Sequence, residues 1–218
     1  MMRGDLIDIY EVLLDHYGRQ GWWPGAGGFE TMVGAVLTQN TNWQNVEKAL
    51  GNLKRHRRLT PETIDSMETT ELAQFIRPAG YFNIKARRLK NLVRWFRQEY
   101  DGSLEALEGC SVDQLREQLL QINGIGPETA DSIILYAVGK PTFVVDSYTC
   151  RVLVRHGFIN GECGYEEVKE FCESRLPAEA GLFNEFHALL VQVGKYHCKV
   201  RADCTNCPLE QFEHTIDT

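Results

Sequence analysis

The residues best placed to do chemistry lie between Leu119 and Arg151, in the run LLQINGIGPETADSIILYAVGKPTFVVDSYTCR. Gly124-Ile125-Gly126 supplies backbone that can turn sharply and approach another molecule closely, because glycine carries no Cβ. A hairpin of this kind presents bare N–H groups, and a helix N-terminus behind it adds partial positive charge. The ligand that suits it is an anion such as a nucleic-acid phosphate. Taken alone, a Gly-x-Gly reads more readily as an ordinary corner between two helices, and the distance to an aspartate downstream is what changes that. Farther along, Asp146 precedes Ser147-Tyr148-Thr149, where it can cap a helix or offer a carboxylate for catalysis.

These residues need elements to position them. Ser111 and Gln114 form a capping-box start, and Leu115, Leu119 and Leu120 recur at helical spacing until the glycines end the helix. Pro127 suits the first turn of the next helix, where its missing N–H costs nothing. An apolar helix is expected from Thr129 to Val138, ended by Gly139, with another opening after Asp146 and running through Val154. Upstream, Asp5 to Tyr17 is amphipathic, with Leu6, Ile9, Val12 and Leu13 at helical spacing. Gly21-Trp22-Trp23-Pro24-Gly25 is a rigid aromatic turn whose tryptophans must line either the core or a pocket.

Apolar helices are expected over 29–39 and 42–53, joined by Thr38-Gln39-Asn40-Thr41-Asn42. Those five polar side chains must face solvent or a ligand, or else cap the helices; Trp43 follows them. A long helix is expected over 83–100, burying Ile84, Leu89, Leu92, Val93 and Phe96, with Arg87, Arg88, Lys90, Arg94 and Arg97 elsewhere around it. Helices over 165–173 and 183–196 complete the pattern. No run alternates with period two, so the chain reads as all-α.

Composition permits one domain or two small ones: 218 residues, 43% hydrophobic. There is no long apolar run and no apolar leader, so a cytoplasmic, nucleoid-associated protein without membrane attachment is expected. Seven cysteines, an odd number, point to reduced thiols or metal ligands instead of a disulfide framework. The net charge of −7 looks unsuited to nucleic acid, yet what matters is where the charges lie. Basic residues cluster at 54–58 and 85–97, whereas 162–185 is rich in glutamate.

GIGPETA followed by FVVDSYTCRV resembles the helix–hairpin–helix motif and trailing aspartate of the endonuclease III superfamily of DNA glycosylases, over most of the chain. Trp22-Trp23-Pro24, GAVLTQNT at 34–41 and RPAGYFNIKARRL at 77–89 resemble the 3-methyladenine DNA glycosylases of endonuclease III type. The resemblance implies two helical lobes: a barrel over 28–136 that includes the hairpin, and a second lobe from 1–27 plus 137–218. It places the active site in the cleft between them.

It also implies roles. Asp146 matches the catalytic aspartate. Glu128 stands where enzymes that also nick DNA carry a Schiff-base lysine, so base excision without efficient strand cleavage is expected, with Glu128 itself a first-turn residue favoured by the helix dipole. Gly124, Ile125 and Gly126 would hold phosphate, and Gln39 and Asn40 would reach base edges left by the flipped nucleotide. Trp22, Trp23 and Trp43, with Pro24 as a wall, would form an aromatic slot for a cationic base. The expected partner is double-stranded DNA with damaged bases, bound by a monomer. The competing readings are a uracil or thymine-mismatch glycosylase and a non-catalytic damage sensor.

The chemistry itself requires no cofactor. Cys198, Cys204 and Cys207 resemble a family iron–sulfur loop, but the fourth cysteine position holds Glu213 and the first spacing is one residue short. A 4Fe-4S cluster, a zinc site completed by His197 or His214, and a loop of free thiols all remain open.

Overall fold

The structure is a computed structural model describing residues 4–23 and 28–216. Pro24 lies outside the described residues. Among those described there are twelve α-helices and no β-strand, and no helix is long and apolar enough to cross a membrane. Contacts divide the chain into two compact units, Pro24–Lys140 and Met1–Trp23 with Pro141–Thr218.

The first unit holds α2 (Gly28–Thr38), α3 (Trp43–Arg55), α4 (Pro61–Ser66), α5 (Thr69–Phe75), α6 (Phe82–Tyr100), α7 (Leu104–Glu108), α8 (Val112–Gln121) and α9 (Pro127–Ser132). Its core is mainly aliphatic, built around Met32, Val36, Leu37, Leu53, Ile64 and Leu89, with Phe96 among them. The helix expected over 129–138 is α-helical only to Ser132 and continues as one π-helical turn, Ile133–Ala137. Val138 N–H bonds Ile133 O at 3.2 Å and Lys140 N–H bonds Ile134 O at 3.1 Å, tying these residues to the turn behind them.

Two expectations for α6 are corrected. Ile84 is 43% exposed, whereas Lys85 is 1% exposed. The Lys85 ammonium donates to Leu37 O and Ala79 O, each at 2.8 Å, so it closes the carbonyl ends of α2 and of the short 3-10 turn Arg77–Ala79. Its pKa is lowered to about 8, by burial first and then by the charge of Arg88. Lys90, expected among the outward-facing cations, is also buried, and donates to Met67 O and, at 2.9 Å, to Asp65 O.

The second unit holds α1 (Leu6–Tyr17), α10 (Ser147–Arg155), α11 (Tyr165–Glu173), α12 (Ala180–Tyr196) and the cysteine tail. Asp5 starts α1 with a capping box, accepting from Ile7 N–H and Asp8 N–H. Leu6, Ile9 and Leu13 are buried along one face of α1, which packs on α12. The aromatic centre is Phe143 edge-on to Phe183 and Phe186, with ring centroids 5.5 and 6.1 Å away.

Candidate active site

The hairpin is fixed by short-range turn chemistry and by long-range bracing. Ser111 and Gln114 form the expected capping box at the start of α8, and Ile125 N–H returns to Ile122 O at 3.0 Å. Gly124 has φ +97, and a Cβ built there would lie 2.2 Å from Arg88 Cγ. Glycine is therefore required twice over, by backbone sign and by space. Arg116 grips Asp131 through Nε at 2.9 Å and Nη2 at 3.3 Å; Asp131 is fully buried, so this bidentate pair locks α8 to α9. Nothing in the sequence pattern singled it out.

Gln39 spends both ends of its amide on this structure. Nε2 donates to Gly124 O at 3.1 Å and Thr129 Oγ1 at 2.9 Å, while Oε1 accepts from Arg88 Nη1 at 2.6 Å. It braces the hairpin from α2's end. Asn40, by contrast, is exposed with φ +52, and its side chain makes no hydrogen bond among the described residues. Glu128 is exposed in the first turn of α9, beside Gly126 and Pro127. Trp43 is half-buried against the core of this unit.

The other unit carries the carboxylate. Asp146 has extended backbone, and its Oδ1 accepts Thr149 N–H at 2.8 Å, so it does cap α10. Its Oδ2 lies 3.5 Å from His187 Nε2, and its side chain remains 16% exposed. Burial pushes the carboxyl pKa up; His187 and the Thr149 N–H pull it down and prevail, leaving it below the ordinary value. Asp146 is thus an ionised carboxylate with one fixed orientation and some access to solvent. His187, a single buried histidine in the apolar run of α12, was missed because no local spacing marks it.

The same helix anchors the aromatic turn. Glu185 Oε1 accepts Gln20 N–H at 2.6 Å, and Gln192 Nε2 donates to Gln20 Oε1 at 2.8 Å. Beyond Gln20, Trp22 and Trp23 meet edge to face with centroids 6.2 Å apart. Lys195 Nζ, also on α12, lies 5.7 Å from the Trp22 ring centroid. Trp22 Nε1 is buried and finds no hydrogen-bond partner among the described residues. Trp22 and Trp23 therefore share a unit with Asp146, and Trp43 belongs to the other unit.

In the tail, Cys198, Cys204 and Cys207 line one cavity with His197 and His214, but its volume is about 20 Å³, room for roughly one water. Cys198 Sγ accepts from Arg155 Nη1 at 3.2 Å. Glu213, at the position of the absent fourth cysteine, turns its carbonyl to His156 at 3.1 Å. Among the described residues no group of three His, Cys, Asp or Glu could hold a metal ion. This arrangement does not fit a four-iron cluster.

A glycine hairpin between two helices stands in one unit, and a helix-capping aspartate in the other. The chain belongs to the HhH-GPD superfamily of base excision DNA repair proteins, whose family model matches residues 33–178. Among curated proteins it is 46% identical over 209 residues to "Putative DNA repair glycosylase MJ1434" of Methanocaldococcus jannaschii, covering 95% of this chain and 94% of that one. It is 30% identical over 186 residues to endonuclease III of Sulfolobus acidocaldarius, covering 84% and 80%. Among solved structures, the H. pylori 3-methyladenine DNA glycosylase MagIII bound to 1,N6-ethenoadenine aligns with TM-score 0.77 and 31% identity, over 88% of this chain and 98% of that one. A trapped endonuclease III–DNA covalent intermediate shares the fold at TM-score 0.81 and 24% identity, over 97% and 95%.

Proposed function

We propose that this protein is a monofunctional glycosylase that removes alkylated purines, 3-methyladenine foremost, from duplex DNA. The observation that carries the reading is the arrangement along α12, where one helix anchors both the Trp22-Trp23 turn, through Glu185 and Gln192, and the Asp146 carboxylate, through His187. The Trp22 face already attracts a cation, Lys195, and its buried indole N–H is left for an acceptor on a ligand. A purine methylated at N3 is cationic and also carries ring acceptors. Such a base leaves without being protonated first, because the electrons of the breaking glycosidic bond neutralise it.

Asp146 then serves the sugar. Its anionic carboxylate stabilises the oxocarbenium character that develops as the base departs, and it accepts a proton from the water that adds to the anomeric carbon. Monofunctional chemistry follows from the hairpin, since residues 119–132 contain no lysine and Glu128 has no amine to form a Schiff base. Residual similarity to endonuclease III supports the fold and DNA handling without supplying that nucleophile.

The test is base release from methylated duplex DNA, with chromatography of free bases and a parallel gel for strand breaks. Wild type should release 3-methyladenine without nicks, and Asp146→Asn should lower the rate by at least about a hundredfold. Nicking by the wild type would overturn the monofunctional assignment, and release only of uracil or mispaired thymine would overturn the alkylpurine assignment.

A further inference from the structure

We propose that the outer face of α6, together with the hairpin turn beside it, is a phosphate-contact site that holds the backbone of the bound duplex. This rests on the reading of the protein as a glycosylase of duplex DNA. An open groove of about 550 Å³ runs along the first unit, lined by Arg87, Arg88, Asn91 and Arg94 of α6 and by Asn123 and Gly124 of the hairpin. No carboxylate lines it. In a chain of net charge −7, general attraction cannot bring in a polyanion, so binding depends on a few local cationic surfaces.

Two cations of this groove, Arg87 and Arg94, are available to a ligand. Arg87 is exposed and makes no ion pair among the described residues. Arg94, 55% exposed, lies 3.7 Å from Asp65, a carboxylate it shares with Arg97, so a positive charge remains uncompensated there. Lys90 is different, because its ammonium is turned inward to backbone carbonyls and adds no donor to the groove. Arg87 and Arg94 stand two turns apart on one face, about 10 Å along the helix, so their side chains can reach two different phosphates of one strand.

The groove is also joined rigidly to the hairpin. Asn91 Nδ2 donates to Asn123 O at 3.0 Å, and Arg88 reaches Gly124 through Gln39. The hairpin amides and the α6 arginines therefore keep a fixed spacing, as a backbone track requires. Apart from Ile84 the groove offers no apolar wall, so a phosphodiester backbone fits it and a stacked base or an apolar peptide does not.

The experiment is fluorescence anisotropy of a labelled undamaged duplex, titrated over a range of salt concentrations with wild type, Arg87→Gln, the double variant Arg87→Gln/Arg94→Gln, and Arg57→Gln as a control in the other basic cluster. Each phosphate contact contributes about 0.9 to the slope of log affinity against log salt. The double variant should lose about 2 from that slope, Arg87→Gln about 1, and Arg57→Gln nothing. Base release by the wild type is measured in parallel. Release and binding with an unchanged slope in the double variant would overturn the α6 site alone, whereas a wild type that neither binds duplex nor releases base would take down the glycosylase reading with it. Thermal unfolding of the variants guards against misfolding, and exposed arginine-to-glutamine changes leave it within a few degrees.

Discussion

In the proposed reaction Asp146 has to be ionised to stabilise positive charge on a sugar, and its surroundings oppose that through burial and favour it through His187 and the Thr149 amide. The balance lies on the favourable side, so the carboxyl titrates below its ordinary value of 3.8. A carboxylate lowered in this way stays competent down to its folded pKa and loses activity as pH falls through it. The acid limb of base release should therefore lie below the ordinary carboxylate range. His187→Leu removes the nearest support and leaves the burial, so the limb should move to higher pH. His187→Asn keeps a donor near Oδ2 and should hold the limb closer to its wild-type place. Single-turnover release across the acid range measures both, and an unmoved limb in His187→Leu would show that His187 does not set the state of Asp146.

Gly124 shows how an element depends on a contact far away in the chain. An alanine there meets both a left-handed backbone and the Arg88 side chain, so Gly124→Ala should lower stability by about 2–4 kcal/mol in urea unfolding. If the clash with Arg88 is a real part of that cost, Arg88→Ala combined with Gly124→Ala should be less destabilised than the two single effects together, by about 1 kcal/mol or more. The turn itself was legible in the sequence, because the capping box at Ser111, the paired glycines and Pro127 each act over a few residues. What holds the turn was not. Gln39, Arg88 and Lys85 reach partners 48 to 90 residues away, and Asp131 pairs with Arg116 15 residues back, in another helix; a polar residue on a helix carries no local sign of such a partner. For the same reason Lys90 read as an outward-facing cation, and His187 went unnoticed in an apolar helix, while Asp146 was visible because a whole motif surrounds it.

At the scale of the whole molecule, the second unit must hold chain from both termini, and α10 is where the tail is fastened. Arg155 is almost fully buried and donates to Lys199 O at 2.6 Å, Val200 O at 3.0 Å and Cys198 Sγ, while its own carbonyl accepts Thr215 N–H at 2.8 Å. Arg151 adds a bond to Cys198 O at 2.6 Å. The helix that begins at Asp146 thus ends in an arginine clamp on the cysteine tail. These contacts organise the tail through protein groups, and the tail offers three thiolates, with Glu213 at the fourth position, where a four-iron cluster takes four. Purified protein should accordingly contain no stoichiometric iron, and a chelator should leave its Tm unchanged. Arg155→Ala tests the clamp. It strands one buried acceptor, Cys198 Sγ, and two part-buried carbonyls, which costs about 2–4 kcal/mol, and in a chain of this size a loss of that order lowers Tm by roughly 10 °C. Limited proteolysis followed by mass measurement should then show early cleavage at Lys199 or Arg201. A tail that stays protected in Arg155→Ala, with Tm preserved, would mean that something other than α10 holds it, and the metal content of that same preparation would show whether an ion does.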